Sequence, residues 1–155
     1  MENLFNKTPL MRLINKAKSL NDQKVFIEVI SNKVVQRYII KLNTDQMRVY
    51  FMDSNETPLA EIGGGYSDFT LQTGKKKGRD QVDLYDTGEF HDSFRIEKIS
   101  GDGFDITSDP FKPNGVNLLE DWGRDIEGLT FENLGIAARF MLDFYVERTK
   151  KYLLS

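Results

Sequence analysis

At the centre of the chain, residues 84–94 read Leu84-Tyr85-Asp86-Thr87-Gly88-Glu89-Phe90-His91-Asp92-Ser93-Phe94. The tetrapeptide at 86–89 matches a capping box, with Asp86 or Thr87 as the cap and Glu89 bonding back to the amide of the cap. The stretch therefore predicts a short helix of about one to two turns, which carries Phe90 and Ser93.

A β-hairpin is predicted directly after this helix. Phe94 and Ile96 alternate with polar neighbours, residues 100–103 (Ser-Gly-Asp-Gly) favour a turn, and Phe104 and Ile106 alternate on the return. Because successive side chains of a strand point to opposite faces, these four apolar residues share one face, which we expect to be buried.

Before the central stretch, the spacing of apolar residues predicts helices. Thr8-Pro9 favours a helix start, since threonine can cap and proline is tolerated at the first helical position. Asn21-Asp22 can end that first helix and cap a second one, which we expect over about 23–44. The β-branched residues within 34–40 leave a strand there as an alternative.

Beyond residue 48, glycine and capping residues mark the boundaries of the elements. The glycine-rich segments 63–65 and 74–79 predict flexible connections, with a short extended segment at 66–71 between them. Residues 118–122 predict a short helix that ends at Gly123. Thr130 then caps a last helix of about 23 residues, whose apolar positions, from Leu134 and Ala137 onward, recur every three or four residues.

Together these elements predict an α+β fold with N-terminal helices, a small antiparallel β-sheet with a hairpin, and a long C-terminal helix. We expect a single domain over residues 1–155, because this length suits one hydrophobic core. Its parts would be a helical region 1–48, central loops and sheet 49–110, and a helical region 111–155.

Composition excludes several kinds of site. The chain has no cysteine and a single histidine, His91, which excludes disulfides, thiolate zinc sites, cysteine nucleophiles and any site that needs two imidazoles. No run of about 18 apolar residues occurs, and charges interrupt the first thirty residues, so we predict neither a membrane span nor a signal peptide. We expect the protein in the cytoplasm or in a particle assembled there.

The net charge of −3 conceals a strong segregation along the chain. Residues 1–79 have a net charge of +5, residues 80–132 of −10 and residues 133–155 of +2. One interpretation is a solvated surface with uneven charge. The other is a head-to-tail contact between the basic part of one subunit and the acidic part of the next, which would build rings or filaments.

No pattern in the sequence predicts catalysis. His91 lies beside Asp92 and Ser93, but neighbours within one helical turn point in different directions, so a half-exposed structural histidine is favoured over a triad. The glycine-rich segments lack the spacing of phosphate-binding loops, and the turn around Asp102 and Asp105 lacks that of a calcium loop. We predict no catalytic residue, no cofactor and no metal site, and therefore no enzyme.

A cluster of cations at Lys75, Lys76, Lys77 and Arg79 is a candidate contact surface. It could be a solvated hairpin tip, a contact with another subunit, or a non-specific contact with DNA phosphates. The pI near 5.3 argues against a dedicated nucleic-acid-binding protein, which would be basic overall.

The central stretch resembles the "Thr-Gly-x-Leu-x-x-Ser-Ile" signature of the tail-completion and head–tail connector (neck) proteins of tailed bacteriophages. Phe90 and Phe94 stand where aliphatic residues are commoner in that family. Other features, such as Leu42-Asn43 and residues 123–130, are similar to structural proteins of phages and prophages of Bacteroidetes. The residues matching the signature are Asp86, Thr87, Gly88, Phe90, Ser93 and Phe94.

This resemblance implies a helical part before the signature and a β-hairpin and C-terminal helix after it. It also implies a structural virion protein, assembled in the host bacterial cytoplasm as a homo-oligomeric ring between portal and tail. Its partners would be copies of itself and neighbouring neck, portal or tail proteins. Another tail or capsid-associated virion protein, or a small cytoplasmic binding domain, remains an alternative.

Overall fold

The computed structural model describes residues 9–76 and 78–155, and in this part of the chain it is mostly helical. The α-helices are α1 (Pro9–Lys18), α2 (Asp22–Ile30), α3 (Lys33–Tyr50), α4 (Leu59–Gly63), α5 (Asp68–Gln72), α6 (Glu89–Asp92), α7 (Leu118–Trp122) and α8 (Phe131–Leu154). The strands are β1 (Arg95–Glu97) and β2 (Asp105–Thr107), and a 3-10 turn spans Arg124–Glu127. The predicted order of N-terminal helices, hairpin and long C-terminal helix is confirmed.

Side-chain caps set the starts of α2, α3, α5, α7 and α8. The predicted caps at Asn21 and Thr130 are confirmed, since Asn21 accepts from the amide of Lys24 at 3.0 Å and Thr130 from that of Asn133 at 3.2 Å. Gly123 ends α7, as the sequence predicts. Thr8 lies outside the described residues, so its capping role stays a prediction.

The prediction of one continuous helix over 23–44 is wrong at residues 31–32. Asn32 is extended, and its side chain accepts a hydrogen bond from the amide of Val34 at 2.8 Å, which starts a new helix. The alternative of a strand at 34–40 is also wrong, because these residues belong to α3, where Val35 and Ile39 are buried four residues apart. Burial of one helical face outweighs the strand preference of β-branched side chains.

The extended segment expected at 66–71 is helical from Asp68 onward. Ser67 accepts from the amide of Thr70 at 3.2 Å and starts α5. A short capped helix therefore replaces most of the predicted extended segment, because serine's hydroxyl can satisfy one of the free amides at a helix start.

The core extends from α2 and α3 through buried residues of the central segments 59–129 to Ala137 of α8. Helices α2 and α3 pack on α8, and the hairpin packs on α3. In the antiparallel hairpin, Ile96 pairs with Ile106, so these two side chains share one face, as the alternation predicts. Two buried polar side chains of α3, Asn43 and Gln46, fix the start of α8.

These two side chains form hydrogen bonds with backbone groups of residues 126–130, which would otherwise lack a partner away from water. Asn43 donates to the carbonyls of Ile126 at 3.0 Å and Gly128 at 2.7 Å, and Gln46 donates to that of Gly128 at 3.1 Å. The Gln46 carbonyl oxygen accepts from the amide of Thr130 at 2.8 Å.

None of the described helices is both long enough and apolar enough to cross a membrane.

Candidate functional site

The residues that carry the signature form a tight corner between the N-terminal helices and the hairpin, and we call residues 86–94 the Thr-Gly corner. Gly88 has φ of 96° and is the cap residue of α6. The predicted capping box is wrong, because Gly88 caps without a side chain and the Thr87 hydroxyl reaches only the amide of Glu89, at 3.4 Å. The left-handed backbone displaces Thr87 from the cap position, and this conformation favours glycine.

Two phenylalanines anchor the corner in the core. Phe90 and Phe94 are both buried, and their rings meet nearly perpendicularly, with centroids 5.1 Å apart and an interplanar angle of 71°. Edge-to-face pairing lets two large rings pack closely in the core. Both side chains serve packing.

Ser93 ties the corner to the segment that follows the hairpin. Its hydroxyl donates to the carbonyl of Phe90 at 2.7 Å and accepts from the amide of Asp109 at 2.9 Å. Because both hydrogen bonds are with backbone groups, the hydroxyl acts as a structural link.

His91 is buried, so the expectation of a half-exposed histidine is wrong. Its Nε2 atom lies 2.9 Å from the carbonyl oxygen of Asp83, and its ring meets that of Tyr85 edge-on at 5.4 Å. Burial lowers the pKa of His91, against the opposing effect of the Asp83 carbonyl. Within the described residues, no hydrogen bond joins His91 to Asp92 or Ser93, so a triad is not formed.

Asp83 is the centre of a polar cluster beneath the corner. Its Oδ1 atom accepts from the Tyr66 hydroxyl at 2.7 Å, the Lys76 ammonium at 2.6 Å and the amide of Tyr85 at 2.9 Å. Burial alone would raise the pKa of Asp83, but the hydrogen bonds from Lys76 and Tyr66 outweigh it and hold the pKa below its ordinary value. The same burial, with the carboxylate nearby, raises the pKa of Tyr66.

The alternative of a hairpin tip is wrong for the cation cluster, because its described residues follow α5 in a loop. Lys76 is half-buried and bound to Asp83 and to the carbonyl of Tyr85. Arg79 pairs with Asp68 and donates to the carbonyl of Tyr66 at 3.2 Å. Lys75 is exposed, whereas Lys77 lies outside the described residues. The role of these cations as a subunit or DNA contact stays a prediction.

A cavity of about 360 Å³ opens beside the corner. The corner residues Thr87, Glu89 and Ser93 line one side, and Phe111 and Lys112 line the other. The Ser93 hydroxyl is already bonded to backbone groups, so the hollow presents no pair of a nucleophile and a base.

A second surface, formed by exposed apolar side chains of α8, is not singled out by the sequence. Leu134, one of the apolar positions that recur along this helix, is half exposed, and Ala137 is the one described residue of α8 that is buried. The sequence does indicate such a surface, because α8 has more apolar residues than a single buried face can hold. The exposed apolar side chains of α8 are Phe131, Leu134, Ala138, Leu142, Val146 and Leu154.

Comparison of the chain with protein-family models, curated proteins and solved structures finds no match.

Proposed function

We propose that the protein is a structural component of a tailed-bacteriophage virion, a head–tail connector or tail-completion protein that assembles as a ring between portal and tail. Its partners are further copies of the chain and the adjoining portal, neck or tail proteins. It assembles in the cytoplasm of the bacterial host, and contact with packaged DNA is non-specific.

The observation that carries this proposal is the order of elements around the Thr-Gly corner. Five helices, α1 to α5, precede the corner, and the hairpin and then α8 follow it. This is the order that the resemblance implies. Gly88 occupies the left-handed position at the corner, where the signature has its glycine.

The use of the signature side chains also favours a structural role over catalysis. Phe90 and Phe94 pack, Ser93 bonds to two backbone groups, and His91 binds a backbone carbonyl. An enzyme would direct such groups toward a substrate, with a nucleophile within hydrogen-bond distance of its base.

Charge and apolar exposure support assembly with other chains. The segment 80–132 has a net charge of −10 against +5 in residues 1–79, which suits a contact between neighbouring subunits of a ring. Exposed large apolar side chains, such as Phe69, Phe111 and Phe131, are typical of surfaces that other proteins cover.

Quantitative mass spectrometry of purified particles tests the proposal by counting this chain against the major capsid protein. We expect a low and fixed number of copies, on the order of six or twelve per particle, as a closed ring requires. Dozens to hundreds of copies would indicate a tail or capsid role instead, and absence from the particles would refute a virion function.

Disruption of the gene gives a second, structural readout. Without a connector, we expect DNA-filled heads and separate tails in electron micrographs of the lysate. A Lys75→Glu variant tests the ring contact, since Lys75 is exposed and its reversal leaves the internal pair of Lys76 with Asp83 intact. Normal tailed particles from the disrupted gene would contradict the proposal.

A further inference from the structure

The side of α8 that faces solvent has an apolar stripe, which we call the outer face and define by Phe131, Ala138, Leu142 and Val146. All four side chains are exposed, and Phe131 and Leu142 are 88% and 57% exposed. At about 100° per residue, they fall within about 80° of one another around the helix. Leu142 points about 140° away from the buried Ala137, so the core of the same chain does not use this face.

A row of charges runs along one edge of the outer face. Glu132, Arg139, Asp143 and Lys150 are all exposed and lie within about 40° of one another around the helix. Among the ion pairs of residues 9–76 and 78–155, none involves these four side chains. The row is therefore available to a partner.

The order of these charges specifies a partner, and we propose that it is the α8 helix of a second copy of this chain, packed antiparallel across a two-fold axis near residue 141. Glu132 and Lys150 are equally far from residue 141, and so are Arg139 and Asp143. In an antiparallel pair the same edges of both helices adjoin. Glu132 then lies level with Lys150 of the second copy, and Arg139 with its Asp143.

The apolar side chains fit the same axis. Leu142 is one residue from it, or about 1.5 Å along the helix, so the two copies of Leu142 meet at the centre of the contact. The other outer-face side chains of one copy fall between, rather than opposite, those of the second copy. Such alternation is how ridges of one helix fill the grooves of another.

A parallel arrangement lacks this complementarity. In a parallel pair the charged edge of one helix adjoins the opposite edge of the other, where Leu134, Met141 and Tyr145 lie. Unpaired charges at the edge of an apolar contact lose solvation without gaining a partner. The antiparallel pair is closed by its two-fold symmetry, so it is a contact distinct from the head-to-tail contacts of a ring.

Sedimentation equilibrium of the full chain, at total concentrations from about 1 to about 200 μM, tests the proposal. We expect a monomer–dimer equilibrium that Leu142→Arg weakens at least about tenfold, because it places two guanidinium groups beside the axis. Val34→Arg on α3 is the matched control, since Val34 is 53% exposed, and it should leave the dimer unchanged. Circular dichroism verifies that each variant is folded.

The charge row permits a sharper test of direction. Asp143→Arg and Arg139→Asp should each weaken the dimer, because each places like charges opposite one another at two symmetric positions. The double variant with both changes should recover the affinity of the original chain. An antiparallel pair requires this recovery, whereas a double variant at least as weak as the single ones would refute the proposed register.

Because the chain has no cysteine, a single introduced thiol reports on the axis. Leu142→Cys should form a symmetric disulfide under mild oxidation, while Val34→Cys should not. A chain that stays monomeric over the whole concentration range, or equal cross-linking at both positions, would overturn the proposal. Neither a monomeric chain nor equal cross-linking changes the copy number expected in the virion. A failure of the proposed dimer is therefore distinguishable from a failure of the proposed function.

Discussion

At the Thr-Gly corner, Phe90 and Phe94 are buried against each other, whereas on the outer face of α8 Phe131 and Leu142 lie in solvent. The polar side chains of the two regions also differ in whether they have partners within the chain. Ser93 and His91 at the corner bind backbone atoms of the same chain, while Glu132 and Arg139 on α8 form no ion pair with the described residues. The corner is satisfied within one subunit, whereas the exposed groups of α8 are open to a partner.

This contrast distinguishes residues that stabilise the fold from residues that serve association. At the corner, a substitution should lower the free energy of unfolding of a single chain. On the outer face, the same substitution should leave that free energy nearly unchanged and alter binding instead. Paired substitutions of the same type, one in each region, test the distinction directly.

The largest difference is expected for phenylalanine truncation. Phe94→Ala should lower the free energy of unfolding by about 3–4 kcal/mol, because Phe94 is 5% exposed and its removal leaves a cavity beside Phe90. Phe131→Ala, at a position that is 88% exposed, should change it by no more than about 0.5 kcal/mol. Urea denaturation at a concentration below that of dimer formation measures both. Equal losses would contradict the division between the two regions.

Part of this division could be predicted from the sequence. Residues 94–106 predict the hairpin and its shared apolar face, because alternation and the turn residues agree. The helix start at Thr130 is also evident, since a capping residue precedes a long helical period. Local signals of this kind depend only on neighbouring residues.

The remainder depends on contacts between distant segments. Asn43 and Gln46 read as ordinary polar residues of a helix, yet α3 buries them against Gly128 and Thr130, more than eighty positions later in the chain. The burial of His91 depends in the same way on Asp83 and Tyr85, which a separate loop positions. The exposure of Leu134 could not be predicted, because helical spacing alone does not say which side of α8 the core covers.

The next largest difference is expected for replacing a glycine by alanine, which should change stability in opposite directions in the two regions. Gly88→Ala should destabilise the chain by about 1–2 kcal/mol, because φ is 96° and the new methyl group would lie 3.1 Å from the Tyr85 hydroxyl oxygen. Gly135→Ala, within α8, should stabilise it by about 0.5–1 kcal/mol, since nothing lies within 4 Å and alanine favours the helix. Thermal unfolding monitored by circular dichroism measures both shifts. A stabilising Gly88→Ala would show that the corner does not require the left-handed conformation.

The smallest effect is a pH dependence confined to the corner. His91 is buried beside Asp83 and Tyr85, with Arg48 and Asp92 as the further charged neighbours, and burial lowers its pKa in the folded chain. Because the unfolded chain then binds the proton more readily, the contribution of His91 to stability is complete above about pH 6.5. It is lost as the pH falls from there through the lower folded pKa.

The slope from this one group cannot exceed about 1.4 kcal/mol per pH unit. Denaturation midpoints between about pH 8 and 5 should therefore fall for the original chain and fall less for His91→Gln, which keeps a donor for the Asp83 carbonyl. Glu132→Gln on α8 is the matched control, since this exposed carboxylate does not touch the corner, and its variant should follow the original chain. Identical slopes for His91→Gln and the original chain would mean that the imidazole titrates equally in the folded and unfolded chains. Burial at the corner would then not affect the protonation of His91. The corner and the exposed face of α8 would differ only in how their side chains pack.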